Sequence, residues 1–189
     1  MPIETVTDEN LVKNIQKGEK SLYSELIVRY QDKLLRYVRY LTNSSEYSDD
    51  IVQESFIKVY KNINSFKTEM KFSSWIYRIA HNETINRVKK INFGFLSFGD
   101  DLSEDLFPDS SNIEADYEKE ETVKKIDFTL DKLPLKYRDA LTLYYIEDKS
   151  YEEISDILRI SVGTVGTLIR RGKKKMKDLL IKEGIGYAK

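Results

Sequence analysis

Apolar residues recur at helical spacing along most of the chain. Leu22, Leu26, Ile27, Tyr30, Leu34, Leu35, Val38 and Leu41 step by three and four. Ile51, Val52, Phe56, Val59, Tyr60 and Ile63 do the same, as do Phe72, Trp75, Ile76, Ile79, Ala80 and Ile85. Such spacing lays one apolar stripe along a helix, and that stripe must be buried. Residues 1–90 therefore predict a bundle of about four helices. No convincing stretch alternates with period two, so no strand is expected. The pattern lapses over residues 91–122. INFGFLSFG is apolar but short and Gly-broken, and the acidic stretch after it carries Pro108 and a Ser-Ser pair, which predicts a linker. Helical spacing returns with Val123, Ile126, Leu130 and Leu133. Pro134 then opens a further helix, where its missing N–H costs nothing. The expected fold class is all-α: two small helical domains, 1–90 and 123–189, joined by the linker 91–122.

Charge sharpens this division. Residues 1–90 carry a net +3, residues 91–122 a net −9 and residues 123–189 a net +5. Two basic blocks flanking an acidic one point to nucleic acid, because phosphate attracts Lys and Arg whatever the base sequence. The 189 residues include no Cys and one His. This excludes disulfides, thiolate zinc sites, a Cys nucleophile and a His-rich metal centre. No apolar run approaches the roughly 20 residues of a membrane span, and MPIETVTDEN has no signal core. The expectation is a cytoplasmic chain with no cofactor and no membrane partner. Neither a phosphate-binding loop nor a nucleophile–base pair is visible, so an enzyme is not expected.

The strongest local signal runs from Ser150 to Met176. Ser150-Tyr-Glu-Glu153 spells a capping box. The helix after it would bury Ile154, Ile157 and Leu158, with small Ser155 where two helices cross. Arg159-Ile160-Ser161 reads as a tight turn, and Ser161 would cap a second helix buried through Val165, Ile169, Gly172 and Met176. This is the layout of a helix-turn-helix, whose second helix enters the major groove. Thr164 and Thr167 lie near the start of that helix. Arg170, Arg171, Lys173, Lys174, Lys175 and Lys177 follow with no acidic residue between them. Short polar groups would meet base edges, and the basic tail would hold phosphates.

The first block carries a quieter constellation. Asp49, Asp50, Gln53 and Glu54 line one side of an amphipathic helix. Next come a polar loop, Ser65–Lys71, and the aromatic-basic run Phe72-Ser-Ser-Trp75-Ile-Tyr77-Arg78-Ile79-Ala80-His81-Asn82. Aromatics interleaved with Lys and Arg suit a single strand, stacking bases and holding phosphates. Trp75 reads first as core, and His81 as a surface or capping residue.

These motifs, in this order, resemble the bacterial RNA polymerase sigma factors of the sigma-70 family, in their compact extracytoplasmic-function form. The resemblance covers about 150 residues. Asp49 to Phe56 is similar to the family's core-polymerase docking helix, Phe72 to Asn82 to its promoter-melting helix, and Ser150 to Met176 to its region 4 helix-turn-helix. It implies that residues 1–90 are region 2 and residues 123–189 are region 4. Asp49, Asp50, Gln53 and Glu54 would bind core RNA polymerase. Phe66, Lys67, Lys71, Trp75, Asn82, Arg87, Lys89 and Lys90 would meet the minus-10 DNA as it melts, with an everted base held by the Ser65–Lys71 loop and Asn82. Ser161, Thr164, Gly166, Thr167, Arg170, Arg171, Lys173 and Lys174 would read the minus-35 duplex. An anti-sigma factor is a partner the family brings with it. Where the family usually has Lys and Arg, this chain has Gly166 and Leu168. An unusual minus-35 preference, or greater reliance on Arg170, Arg171 and Lys173, is expected.

The linker must span one to two duplex turns of ~34 Å, and its 32 residues reach about 105–115 Å when extended. Two other readings compete. A stand-alone helix-turn-helix regulator would bind duplex DNA without polymerase, and a decoy would bind polymerase without starting transcription.

Overall fold

The computed structural model describes residues 6–42, 47–95 and 126–182, with residues 91–95 as backbone only. Among these residues every regular element is a helix. Helix α1 (Asp8–Gln16) starts where the Thr7 hydroxyl accepts the Asn10 N–H, and Asp8 and Glu9 face the positive end of its dipole. A 3₁₀ turn (Lys20–Leu22) leads into α2 (Tyr23–Thr42). Helix α3 (Ser48–Asn62) ends in a second 3₁₀ turn (Ile63–Ser65), and α4 (Phe72–Phe95) follows. Helix α4 passes residue 90 and takes in the first five residues of the stretch expected as linker. Residues 96–122 of that stretch lie outside the described residues.

The second block begins with α5 (residues 126–131). Helix α6 (Leu135–Leu141), opened by Pro134, runs into a π-helical turn (Thr142–Ile146). Helices α7 (Tyr151–Leu158) and α8 (Val162–Lys182) complete it.

The apolar stripes read from the sequence are the buried ones. Leu26, Leu34, Val38 and Leu41 of α2 are fully buried against α3 and α4, beside Ile51, Val59, Phe72, Ile76 and Ala80. In the second block Ala140, Leu141 and Leu143 meet Ile154, Ile157, Val165 and Ile169. Helices α6 and α8 come close at Gly172, where a Cβ would lie 3.1 Å from Leu141 Cγ and Cδ1. The two blocks are not separate bodies: α4 packs on α7 and α2 on α6, so the buried core is continuous between them.

Candidate nucleic-acid interface

Helix α3 divides cleanly. Ile51, Val52, Ser55, Phe56 and Val59 are buried, while Asp49, Asp50, Gln53 and Glu54 are all exposed on the opposite side. This acidic-amide face is open to a partner. Its only described tie is Glu54 Oε1, which stands 3.6 Å from Arg87 Nη2.

Beside it, α3 and α4 flank a pocket of about 310 Å³ lined by Lys58, Asn62, Ser65, Trp75, Ile79, Asn82 and Glu83. Its floor is built from the loop outward. Gln16 Nε2 donates to the carbonyls of Ile63 (2.7 Å) and Phe66 (2.9 Å), pinning the loop start to α1. Glu9 Oε1 accepts the Phe72 N–H at 2.9 Å and so caps α4 from another helix. Phe66 points inward and is buried, its ring 4.9 Å from Trp75 and 5.6 Å from Phe72. Phe66, expected at the DNA, is thus turned into the core in this structure. An aromatic loop residue flanked by Lys reads as exposed, but the apolar hollow between α1 and α4 takes the ring instead.

Trp75 joins the core and also faces the pocket. It packs on Phe66 and Phe72, yet remains partly exposed and forms a pocket wall. Asn82 is exposed at the rim, and Lys58 Nζ pairs with Glu83 Oε1 at 2.5 Å across it. Gln16, Glu9, Lys58 and Glu83 were not singled out in the sequence. Only their distant partners give them a role, and spacing along the chain does not show those.

Further along α4, Lys89 and Lys90 are exposed, and the Arg87 guanidinium lies 5.8 Å from the Tyr47 ring centre. Lys67 is exposed in the loop, whereas Lys71 Nζ reaches Glu153 of α7 at 3.2 Å.

The helix-turn-helix forms as its sequence predicts. Ser150 Oγ accepts the Glu153 N–H at 3.2 Å, and Glu153 Oε2 accepts the Ser150 N–H at 2.9 Å. Glu153 is held below the usual carboxylate range: burial pushes it up, but the Ser150 N–H and Lys71 pull it down further. Arg159 ends α7 in the left-handed region (φ 57°), and Ser155 Oγ donates to the Ile160 carbonyl at 2.5 Å, closing the turn. Ser155 thus does more than leave room for crossing helices.

Ser161 Oγ accepts the Thr164 N–H at 3.2 Å and lies 2.8 Å from the Thr164 hydroxyl. The Thr167 hydroxyl donates back to the Gly163 carbonyl at 3.0 Å. Both hydroxyls expected at base edges are therefore engaged within the helix. Gly166 faces the Tyr151 ring, with 3.4 Å from an added Cβ to Tyr151 Cε2, and presents no donor. Arg170, Arg171, Lys173 and Lys174 are exposed, as expected of a phosphate-holding tail. Lys173 also stands 5.9 Å from the ring centre of exposed Tyr145, a neighbour the sequence did not mark.

His81 is no surface residue. Its Nδ1 lies 3.0 Å from Asp139 Oδ2 and 3.2 Å from the Tyr37 hydroxyl. Among the described residues no cluster of three or more His, Asp or Glu could hold a metal, and no helix is long and apolar enough to cross a membrane.

Comparison with known proteins adds to this geometry. The region 2 profile of the sigma-70 family matches residues 26–93, and its region 4 profile matches residues 124–176. The chain is 34% identical over 181 residues to the extracytoplasmic-function RNA polymerase sigma factor SigW of Bacillus subtilis, covering 89% of this chain and 94% of that one. It is 34% identical over 182 residues to the sigma-E factor of Escherichia coli K12, covering 93% and 95%. In fold it resembles the sigma factor RpoE solved with the anti-sigma factor NepR from Bartonella quintana. There the TM-score is 0.71 at 21% identity, covering 84% of this chain and 96% of that one. It also resembles CnrH solved with the cytosolic domain of CnrY, with a TM-score of 0.68 at 20% identity, covering 93% and 97%.

Proposed function

The chain belongs to the sigma-70 family of RNA polymerase sigma factors, in its extracytoplasmic-function group, and we propose how its surfaces divide that family's work. It binds core RNA polymerase, directs it to promoters and helps melt the DNA there. Sigma factors are not enzymes, and bond formation is left to the polymerase. In this reading region 2 spans 1–90, region 4 spans 123–189, and residues 91–122 link them. An anti-sigma factor is its expected inhibitor, to be sought by capture on the full chain.

The observation that carries the assignment is the α3–α4 pocket. Trp75 offers a π-face, Asn82 offers both a donor and an acceptor, and Ser65 adds a hydroxyl. A base taken out of the stack needs such a combination, since stacking and polar contacts must offset an unstacking cost of a few kcal/mol. Lys67, Lys71, Arg87, Lys89 and Lys90 surround it as phosphate holders, and Phe66 supports the Trp75 wall from within. The exposed face of Asp49, Asp50, Gln53 and Glu54 is the polymerase dock.

For the minus-35 duplex, Ser161, Thr164, Gly166 and Thr167 form the approach of α8 to the groove, and Arg170, Arg171, Lys173 and Lys174 hold its phosphates. The tie of Thr167 to the Gly163 carbonyl leaves its oxygen as an acceptor, and both Thr164 and Thr167 keep methyls for thymine contact. Gly166 lets the backbone come close. Readout by shape and phosphates, more than by bidentate donors, follows from that surface.

Run-off transcription with bacterial core polymerase and a pool of genomic fragments tests the reading. Discrete starts that disappear on changing Asp50 and Gln53 together to Ala are expected. Tight duplex binding by the free protein with no polymerase binding would overturn it in favour of a stand-alone regulator.

A further inference from the structure

Tyr145 is a large ring left at the surface. It is 52% exposed and belongs neither to the buried core nor to the apolar side chains packed against it. It lies in the π-helical turn Thr142–Ile146, and π-helical turns recur at functional sites. Its ring centre stands 4.8 Å from that of Tyr144, which stands 5.3 Å from that of Tyr151, both pairs edge to face. This row meets α8 at two points. The Tyr151 ring faces Gly166, and the Tyr145 ring centre lies 5.9 Å from Lys173 Nζ. Gly166 and Lys173 are seven residues apart, so they share one face of α8 and stand about 10 Å apart along it. The three rings cover the same length. Arg170, exposed, lies on that face between them. The Tyr145 hydroxyl raises Lys173 above its ordinary value, so hydroxyl and ammonium sit side by side in solvent.

We propose that Tyr145 is a further DNA-binding residue of region 4, its hydroxyl donating to a backbone phosphate of the minus-35 duplex next to the charge that Lys173 supplies. The proposal rests on the reading of α8 as the helix that meets the duplex. On that face Gly166 offers no donor, and Leu168 packs against the core. A neutral donor beside Lys173 makes up part of the deficit. Tyrosine hydroxyls are regular phosphate ligands, and a hydrogen bond to a charged oxygen is among the strong ones. Tyr145 is also held ready. Tyr144 braces its ring from one side and Lys173 from the other, so little side-chain freedom is lost on binding. A ring kept for packing alone would lean on the core, as Tyr144 and Tyr151 do.

Holoenzyme formed from the full chain and core polymerase is titrated onto a labelled promoter duplex recovered from the genomic pool. The titration runs at low temperature, where the promoter stays duplex, and over a series of salt concentrations. Tyr145→Phe keeps the ring and removes only the hydroxyl. It should weaken binding roughly tenfold at every salt, with the slope of log K against log salt unchanged, because no cation is lost. Lys173→Gln should instead shallow that slope by about one charge. Unaltered affinity for Tyr145→Phe would overturn the proposal. A loss of affinity in which the slope also falls by about one charge would overturn the direct contact and leave Tyr145 as a positioning residue for Lys173. Failure of the chain to bind polymerase would count against the sigma reading. The same titration with the free chain, on a duplex it selects from that pool, would then decide Tyr145, and binding of no duplex at all would overturn its role.

Discussion

Helix α8 holds two glycines whose replacement by alanine should have opposite consequences. In a helix interior Gly→Ala gains about 1 kcal/mol from the unfolded chain. At Gly166 the new methyl would stand 3.4 Å from Tyr151 Cε2 and 3.9 Å from Cδ2, an ordinary contact with a ring that is partly in solvent. Most of the gain should survive. At Gly172 the methyl would stand 3.1 Å from both Leu141 Cγ and Cδ1 and 3.4 Å from Tyr137 Cβ. Carbon atoms prefer separations of about 3.5–4.0 Å. Leu141 is 2% exposed and Tyr137 7%, so neither has an open side to retreat toward. Overpacking of this kind costs about 1–3 kcal/mol. Gly172→Ala should therefore end neutral to about 2 kcal/mol less stable, and Gly166→Ala up to about 1 kcal/mol more stable. A difference of about 1–3 kcal/mol corresponds to roughly 2–12 °C in Tm for a chain of this size. Thermal and urea unfolding followed by far-ultraviolet circular dichroism measures it, with Trp75 fluorescence reporting region 2 separately. Equal stabilisation by the two substitutions would refute the close approach of α6 and α8 as the reason for Gly172.

The other expectations concern the sites and the buried tyrosines. Gly166→Lys adds a donor beside the duplex, so minus-35 affinity should rise and the slope of log K against log salt should steepen by about one charge; an unchanged slope would mean Gly166 does not face phosphate. Trp75→Ala should weaken binding of a single-stranded minus-10 oligonucleotide by about 1–3 kcal/mol in a fluorescence anisotropy titration, and a smaller loss would make Trp75 core alone. Ser150→Ala should cost about 1 kcal/mol of stability through the lost cap, read as a lower urea midpoint with promoter preference intact. Burial, with Asp139 and Glu147 beside them, pushes the Tyr37 and Tyr77 hydroxyls well above their ordinary value of 10.0. Well below pH 10 both are neutral folded and unfolded, and their contribution to stability is fully present. As pH rises past 10 the unfolded chain ionises first, so stability should fall with alkalinity, and Tyr37→Phe with Tyr77→Phe should shallow that slope, with the partly or fully buried Tyr23, Tyr30 and Tyr40, also raised, keeping the remainder.

What the sequence makes legible is what lies close along the chain. The helices follow from apolar spacing, and the helix-turn-helix from Ser150, Glu153, Ser161 and the basic run behind them. The acidic face of α3 follows from the same periodicity. Distance in sequence defeats the rest. Tyr37 and Asp139 are 102 residues apart, and no local pattern joins them. His81 reads as a surface residue because its partner lies in the other block. The inward turn of Phe66 is not legible because a Lys-flanked loop says nothing about the Phe72 and Trp75 rings it packs on. Gly172, which looks like a weak point in a helix, is the space that lets two helices meet.

Helix α4 serves three neighbours at once. Phe72, Ile76 and Ala80 enter the core, Trp75, Ile79 and Asn82 line the pocket, and Tyr77 and His81 meet the second block. A helix with a single committed side leaves more than half its positions free to vary. One claimed on three sides has almost no idle position between Phe72 and Asn82. Random substitution there should rarely be silent, and which property fails, whether solubility, strand capture or the packing of the two blocks, should depend only on the residue's angle around the helix axis.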